Sequence, residues 1–226
     1  MVEPQTRTSP KKIMVVDDHP IIRQGLQRLI ENKAPDLELC WEADSSMEAL
    51  NQMGEGARPD IMLVDLSLKE SSGFDLIKSV RNRFANMPIL VVSMHEEMRY
   101  AERALHCGAS GYIMKREMSS KVIDAIHEVL QGNMYVSEEL KNLLLQQQFS
   151  RNADAGGSPT ELLSDREFEV FSQIGQAKTI AEISKALHVS VKTVETHCAR
   201  IKKKLHLRNS IELHQQAYRW TRQEQQ

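Results

Sequence analysis

The sequence predicts an α/β unit built on a doubly wound, five-stranded parallel sheet, followed by a small all-α unit with a helix-turn-helix pattern. Three observations predict it. Short apolar runs without alternation, the mark of strands buried on both faces, recur between residues 13 and 114. Segments with apolar residues at helical spacing separate them, and such a βα alternation calls for a parallel sheet. Beyond residue 162 the strand runs stop and three Ser or Thr helix caps follow one another.

The first run, Ile13-Met14-Val15-Val16, ends at Asp17-Asp18, and residues 20–30 then set Ile22, Leu26, Leu29 and Ile30 on one helical face. Residues 37–43 read as a second strand and 47–53 as a short helix. Ile61-Met62-Leu63-Val64 ends at Asp65; a loop over 67–72 and Gly73 lead into a helix bearing Phe74, Ile77 and Val80. Pro88 opens the fourth strand, Ile89-Leu90-Val91-Val92, which ends at Ser93. Residues 100–107 are helical up to Gly108. The fifth strand, over 111–114, ends at Lys115, and Val122, Ile123, Ile126 and Leu130 line a helix stopped at Gly132. Residues 137–148 predict a short helix with Leu140, Leu143 and Leu144 as its stripe. The stretch 149–159, with Gly156-Gly157-Ser158-Pro159, reads as a flexible linker. The chain therefore divides into a first domain over 11–132, a linker over 133–162 and a helical domain over 163–220.

In the back part, Ser164 and Glu167 form a capping box with Leu163 and Phe168 placed as a hydrophobic staple, opening a helix to about residue 174. Thr179 and Glu182 form a second box before residues 180–187. Ser190 caps a longer helix over 191–205, and residues 211–220 make a fourth. Val191, Val194, Cys198, Ile201 and Leu205 alternate steps of three and four as one buried stripe. The other face presents Lys192, Glu195, Thr196, Ala199, Lys203 and, nearby, Arg200. Such a helix suits a DNA major groove, with flanking lysines and helix N-termini on phosphates.

Composition agrees. Of 226 residues 41% are hydrophobic, enough for ordinary cores, and no apolar stretch approaches a membrane span. Residues 1–10 lack an apolar leader segment and read as a tail, and Cys40, Cys107 and Cys198 have neither metal-ligand nor disulfide spacing, so buried thiols in a reducing cytoplasm are expected. Residues 11–130 carry 15 basic and 19 acidic side chains, a net −4, whereas residues 164–226 carry 11 and 7, a net +4. An acidic front and a basic back point to different partners, the second anionic.

In an open α/β sheet the ligand site lies outside the carboxyl ends of the strands. Asp17, Asp18, Asp65, Ser93 and Lys115 would meet there. Singly each is an ordinary loop residue; together they carry the chemistry of a divalent cation and a phosphoryl group. Three carboxylates offer the hard oxygens Mg²⁺ takes, and their mutual repulsion needs a cation or Lys115 to offset it. Asp65 is the best nucleophile candidate, since a carboxylate can take a phosphoryl group as an acyl phosphate.

These residues resemble the receiver domains of bacterial response regulators. The match runs through Val15-Val16-Asp17-Asp18-His19, Asp60-Ile61-Met62-Leu63-Val64-Asp65-Leu66, Val91-Val92-Ser93 and Gly108-Ala109-Ser110-Gly111-Tyr112-Ile113-Met114-Lys115. The resemblance implies a flavodoxin-like receiver in which Asp65 accepts phosphate from a sensor histidine kinase. It implies Mg²⁺ held by Asp18, Asp65 and the Ser67 carbonyl, with Asp17 acting through water. Ser93 matches the switch hydroxyl and Tyr112 the switch aromatic; Ser67 and His95 lie where such domains tune acyl-phosphate hydrolysis. Arg116 stands where proline often follows the lysine.

The back part resembles the DNA-binding domains of the NarL/FixJ (LuxR-type) regulators, through Leu163-Ser164-Asp165-Arg166-Glu167, Ile180-Ala181-Glu182-Ile183, Val189-Ser190-Val191-Lys192-Thr193-Val194-Glu195-Thr196-His197 and Ile201-Lys202-Lys203-Lys204-Leu205. It implies Lys192, Thr193, Lys202 and Lys203 on phosphates and Glu195, Thr196, Ala199 and Arg200 facing bases or nearby backbone. Ala177 and His206 stand where glycine is usual after two of the helices. The last helix resembles a dimerisation helix. Together the two resemblances imply a cytoplasmic, phosphorylation-dependent transcription regulator that dimerises on double-stranded promoter DNA, not an enzyme. A phosphatase of the haloacid-dehalogenase type also uses an aspartyl nucleophile after a strand, but it needs a second Asp two residues on, where this chain has Ser67.

Overall fold

The computed structural model describes residues 9–68, 71–150 and 162–223. Most of the expected tail (1–8) and the stretch 151–161 of the expected linker lie outside the described residues. The chain forms two compact units, divided between Ser137 and Glu138.

In the first unit, β1 (Lys11–Val16), β2 (Leu37–Ala43), β3 (Ile61–Val64), β4 (Ile89–Ser93) and β5 (Gly111–Met114) form one parallel sheet in the order β2-β1-β3-β4-β5. The apolar runs are strands because both faces are covered. Ile13, Val15, Ile61, Leu63, Leu90, Val92 and Ile113 face α1 (Pro20–Lys33) and α5 (Met118–Leu130), whose Leu26, Ile30, Val122, Ala125, Ile126 and Val129 complete that core. Helices α2 (Ser46–Gly54), α3 (Gly73–Arg83) and α4 (Glu97–Cys107) cover the other side, with Phe74, Ile77 and Tyr100 buried.

Several boundaries differ from expectation. Helix α4 starts at Glu97, a turn before residue 100, because Glu96 takes an extended N-cap conformation that no apolar periodicity marks. Lys115–Glu117 is a short 3₁₀ turn leading directly into α5, and no cis peptide bond occurs among the described residues. After Gly132, Tyr135 makes an isolated parallel bridge to Gly111, so the chain touches the β5 edge at one residue without adding a strand to the five-stranded sheet. Tyr112 N–H donates to the Tyr135 carbonyl at 2.7 Å, and Ser137 N–H donates to Glu97 Oε1 at 2.8 Å.

The second unit is helical: α6 (Glu138–Ser150), α7 (Asp165–Gly175), α8 (Ile180–Ala186), α9 (Val191–Lys204) and α10 (Ser210–Gln223). Helix α6 runs two residues into the expected linker, through Phe149 and Ser150, where the sequence holds no stop signal before Gly156. Both capping boxes form, Ser164 with Glu167 and Thr179 with Glu182, and Ser190 Oγ accepts the Thr193 N–H at 3.0 Å. Leu163 and Phe168 are both buried, as a staple requires. Helix α7 packs on α10, where Phe168 meets Trp220 edge-on at 5.6 Å. The stripe on α9 is narrower than expected: Val194 and Ile201 are buried, Cys198 and Leu205 half-buried, and Val191 is 45% exposed. Val191 is the first helical residue, at the exposed end of the stripe. The cysteines are free, but only Cys107 is buried; Cys40 and Cys198 are half-buried.

Candidate functional site

The order β2-β1-β3 places a topological switch point between β1 and β3, where a crevice opens at the strand ends. Val16 pairs with Val64, so the residues that follow, Asp17 and Asp65, emerge side by side. Lys115 leaves β5 beyond the intervening β4, and its long stem spans that distance. Its Nζ lies 2.7 Å from Asp17 Oδ2 and 2.7 Å from Asp65 Oδ2. All three side chains are at most 4% exposed.

Burial pushes the Asp65 carboxyl above its ordinary value; the Lys115 ammonium pulls it back and the Asp17 charge adds to the rise. For Lys115, burial pulls down, but the Asp65 and Asp17 carboxylates more than offset it, and the ammonium is held above its ordinary value. One ligand atom from each of Asp17, Asp18, His19 and Asp65 lies within 4.8 Å of the others. Asp65 Oδ1 is buried with no hydrogen-bond partner. Three hard carboxylates and an unsatisfied oxygen fit a divalent oxygen-seeking cation. The His19 ring, with Nδ1 2.8 Å from Asp18 Oδ1, joins the cluster beyond the expected residues; its place directly after Asp17-Asp18 is the signal for it in the sequence.

Gly73, expected only as the entry to a helix, also shapes the site. A Cβ there would lie 2.3 Å from the Asp65 carbonyl oxygen and 2.6 Å from Leu66 Cα. Its absence lets the start of α3 press against the backbone of Asp65, where Gly73 N–H donates to the Leu66 carbonyl at 2.9 Å.

Ser93, fully buried at the end of β4, accepts the His95 N–H at 3.2 Å. The buried Tyr112 hydroxyl donates to the His95 carbonyl at 2.9 Å, and burial holds this phenol well above its ordinary value. The His95 ring stacks on Tyr100 with centroids 4.2 Å apart, and its Nε2 is 2.9 Å from Ser67 Oγ. Ser67, Ser93 and Tyr112 thus converge on one residue, His95.

On α9, Lys192, Glu195, Thr196, Ala199, Arg200 and Lys203 are exposed. Thr193 and Lys202 are half-buried: the Thr193 hydroxyl lies 2.8 Å from Ser190 Oγ and Lys202 Nζ 3.4 Å from Ser210 Oγ. Lys204 Nζ pairs with Glu167 Oε2 at 2.7 Å and ties the end of α9 to the start of α7. His197 Nδ1 is buried without a hydrogen bond, and burial, with Arg166 and Arg200 nearby, pushes the ring below its ordinary value.

Residues 13–127 match the response regulator receiver domain, and residues 161–217 match the bacterial regulatory proteins of the luxR family. The chain belongs to the LuxR-type response regulators. The regulator is 32% identical over 207 residues to the oxygen regulatory protein NreC of Staphylococcus epidermidis, covering 89% of this chain and 94% of that one. It is 34% identical over 206 residues to NreC of Staphylococcus aureus, with the same coverage. A LuxR-family two-component response regulator from Aurantimonas sp. SI85-9A1 superposes with a TM-score of 0.56 at 33% identity, covering 62% of this chain and 99% of that one. RcsB of Salmonella enterica serovar Typhimurium, solved on promoter rprA in the presence of phosphomimetic BeF3⁻, shares the fold. Its TM-score is 0.59 at 22% identity, over 93% of this chain and 99% of that one. The receiver and LuxR-type parts make this regulator a two-component, DNA-binding transcription regulator and not an enzyme. No helix among its described residues is long and apolar enough to cross a membrane.

Proposed function

We propose that Asp65 is the phosphoacceptor of this regulator and that a phosphoryl group there controls DNA binding by α9. The observation that carries the reading is the Lys115 ammonium held at 2.7 Å by both Asp17 and Asp65, beside a buried Asp65 oxygen with no hydrogen bond. An Asp65 carboxylate oxygen attacks the phosphorus of a phosphohistidine on a sensor histidine kinase. An O–P bond forms, the N–P bond breaks, and the histidine nitrogen leaves with the electron pair. Lys115 is freed from part of its pairing to neutralise the incoming oxygens. Asp18, Asp65 and the Ser67 carbonyl would hold Mg²⁺, with Asp17 acting through water. The ion, when bound, offsets charge on the transferring group.

The Ser93 hydroxyl then turns to a phosphoryl oxygen and gives up the His95 N–H. His95 is also the anchor of the Tyr112 hydroxyl, so the change at Ser93 reaches Tyr112 through one residue. The output is a homodimer on double-stranded promoter DNA in the cytoplasm. Lys192, Thr193, Lys202 and Lys203 bind phosphates there, and Glu195, Thr196, Ala199 and Arg200 face the groove. Related RcsB structures hold dimers on DNA. In domain terms, residues 11–132 receive the signal, 133–162 connect, and 163–220 deliver it.

Acetyl phosphate with Mg²⁺ should add the mass of one phosphoryl group to the intact chain and none to Asp65→Asn. A variant that is labelled equally well, or a wild type labelled without Mg²⁺, overturns the assignment. Footprinting and salt titration, with and without the phosphodonor, test the DNA arm.

A further inference from the structure

We infer that Glu195 reads a cytosine in the major groove and sets the sequence preference of this regulator. The inference rests on α9 being the helix that enters the groove. Glu195 is the one carboxylate of α9, against Lys192, Arg200, Lys202, Lys203 and Lys204. On a surface that must approach phosphates, an acidic side chain weakens binding unless it accepts hydrogen bonds from the nucleic acid.

Lys192 stands three residues before Glu195 on α9, yet no ion pair joins them. Glu195 is exposed and, among the described residues, makes no hydrogen bond or ion pair. Its i+3 and i+4 neighbours are Cys198 and Ala199, so no following cation neutralises it. It is the fifth residue of the helix, past the first turn where an acid would favour the helix dipole.

A carboxylate only accepts, so its partner must be a base amino group. Cytosine N4 offers a donor on the major-groove edge, whereas adenine sets the N7 acceptor beside its N6 donor and guanine presents only acceptors. Cytosine is therefore the base a lone carboxylate favours. The neighbours complete the reading. Thr196 donates its hydroxyl to the Lys192 carbonyl at 2.9 Å, which leaves its methyl as the group it offers, and Ala199 offers another. Two methyl groups one helical turn apart, on the face that carries Glu195, suit thymine C5-methyls. The structure thus assigns α9 a half-site in which a cytosine lies among thymines.

Selection from a randomised duplex pool by the full-length, phosphorylated protein should return one strongly preferred cytosine per half-site. Replacing that C·G pair should weaken wild-type binding about ten-fold or more, the lower range for a specific base contact. Glu195→Ala should bind the two duplexes alike, and Glu195→Gln should shift the preference at that pair towards adenine; both keep a good helix former on the surface. The assignment is overturned if Glu195→Ala tightens binding to both duplexes with their ratio unchanged, since Glu195 would then face only phosphate. It is equally overturned if adenine is selected by the wild type. Arg200→Ala and Lys203→Ala separate this failure from a deeper one. If neither weakens binding, α9 is not the DNA surface and the underlying reading falls with it.

Discussion

Lys115 holds two carboxylates that would otherwise repel each other in a buried crevice, and removing it exposes that repulsion. Lys115→Met should cost roughly 3 kcal/mol at neutral pH, the scale for breaking a buried ion pair from one side. The pH dependence has a definite sign. Asp65 has its folded value raised by burial, so the folded receiver takes up this proton more readily than the unfolded chain. Its contribution favours folding in acid and is lost as pH rises through the raised value. Lys115, also raised, contributes below its ordinary value of 10.5 and loses that contribution above it. Without Lys115 the Asp65 carboxyl rises further, so the deficit of Lys115→Met should shrink as pH is lowered from 7. Urea unfolding at a series of pH values checks this, and a pH-independent deficit would contradict it. Gly73→Ala should be at least as damaging to phosphorylation, because its Cβ meets backbone at Asp65 and Leu66 rather than a movable side chain. Acetyl phosphate labelling of a folded Gly73→Ala should be strongly reduced. The five strand-end residues were legible in the sequence because each closes a run that can only be a strand. Gly73 was not, since its backbone proximity to Asp65 comes from how α3 folds back and leaves no periodic trace.

Among elements, helix ends show how the two units differ. In the receiver the helices before Gly108 and Gly132 close with paired reverse bonds, Ala109 N–H to the Ala104 carbonyl and Asn133 N–H to the Glu128 carbonyl. Glycine takes the left-handed position in both, at φ of +108° and +87°. The DNA-binding unit ends α7, α8 and α9 the same way, with Lys178, Val189 and Leu207 N–H donating to Gln173, Ser184 and Lys202 carbonyls. There the left-handed residues are Ala177, His188 and His206, at +61°, +53° and +55°. The sequence marked Ala177 and His206 as replacing expected glycines, and the backbone shows that the conformation is kept although the residue is not. His188 escaped notice because no glycine was expected there. A left-handed L-residue costs about 1–2 kcal/mol, part of which glycine returns as unfolded-chain entropy. Ala177→Gly should therefore stabilise the helical unit by up to ~1 kcal/mol, read as a higher unfolding midpoint. Gly111→Ala should act oppositely, for its Cβ would meet the Tyr135 carbonyl oxygen at 2.8 Å. Overpacking of about 1–3 kcal/mol is the relevant scale. Its signature is faster hydrogen exchange of the Tyr112 amide, which the Tyr135 carbonyl otherwise protects. That isolated bridge was invisible in the sequence, because a single bridged residue on a sheet edge carries no alternation.

For the whole molecule, the proposed phosphoryl pocket and the proposed DNA-contacting helix belong to separate compact units, so the proposed control is a coupling free energy between two sites. Coupling of this kind is reciprocal. If filling the Asp65 pocket tightens DNA binding by some factor, specific DNA must tighten occupancy of that pocket by the same factor. Beryllium trifluoride with Mg²⁺ makes the test reversible, where an acyl phosphate would mix binding with hydrolysis. Typical couplings of about 1–3 kcal/mol correspond to roughly 5–150-fold. Titrating the fluoride complex into the regulator with and without its selected operator should give two affinities in that range of ratios. The same ratio should separate the operator affinities measured with and without the fluoride complex. Asp65→Asn should abolish both shifts and leave the basal DNA affinity in place, since the isosteric amide still fills the pocket but cannot hold the mimic. If DNA leaves the fluoride affinity unchanged while the fluoride complex changes DNA affinity, the cycle does not close, and the change must come from altered oligomer concentration. Repeating the titration across protein concentrations separates these cases: coupling within one chain is independent of concentration, whereas coupling through a dimer on two half-sites grows steeper as the protein is diluted.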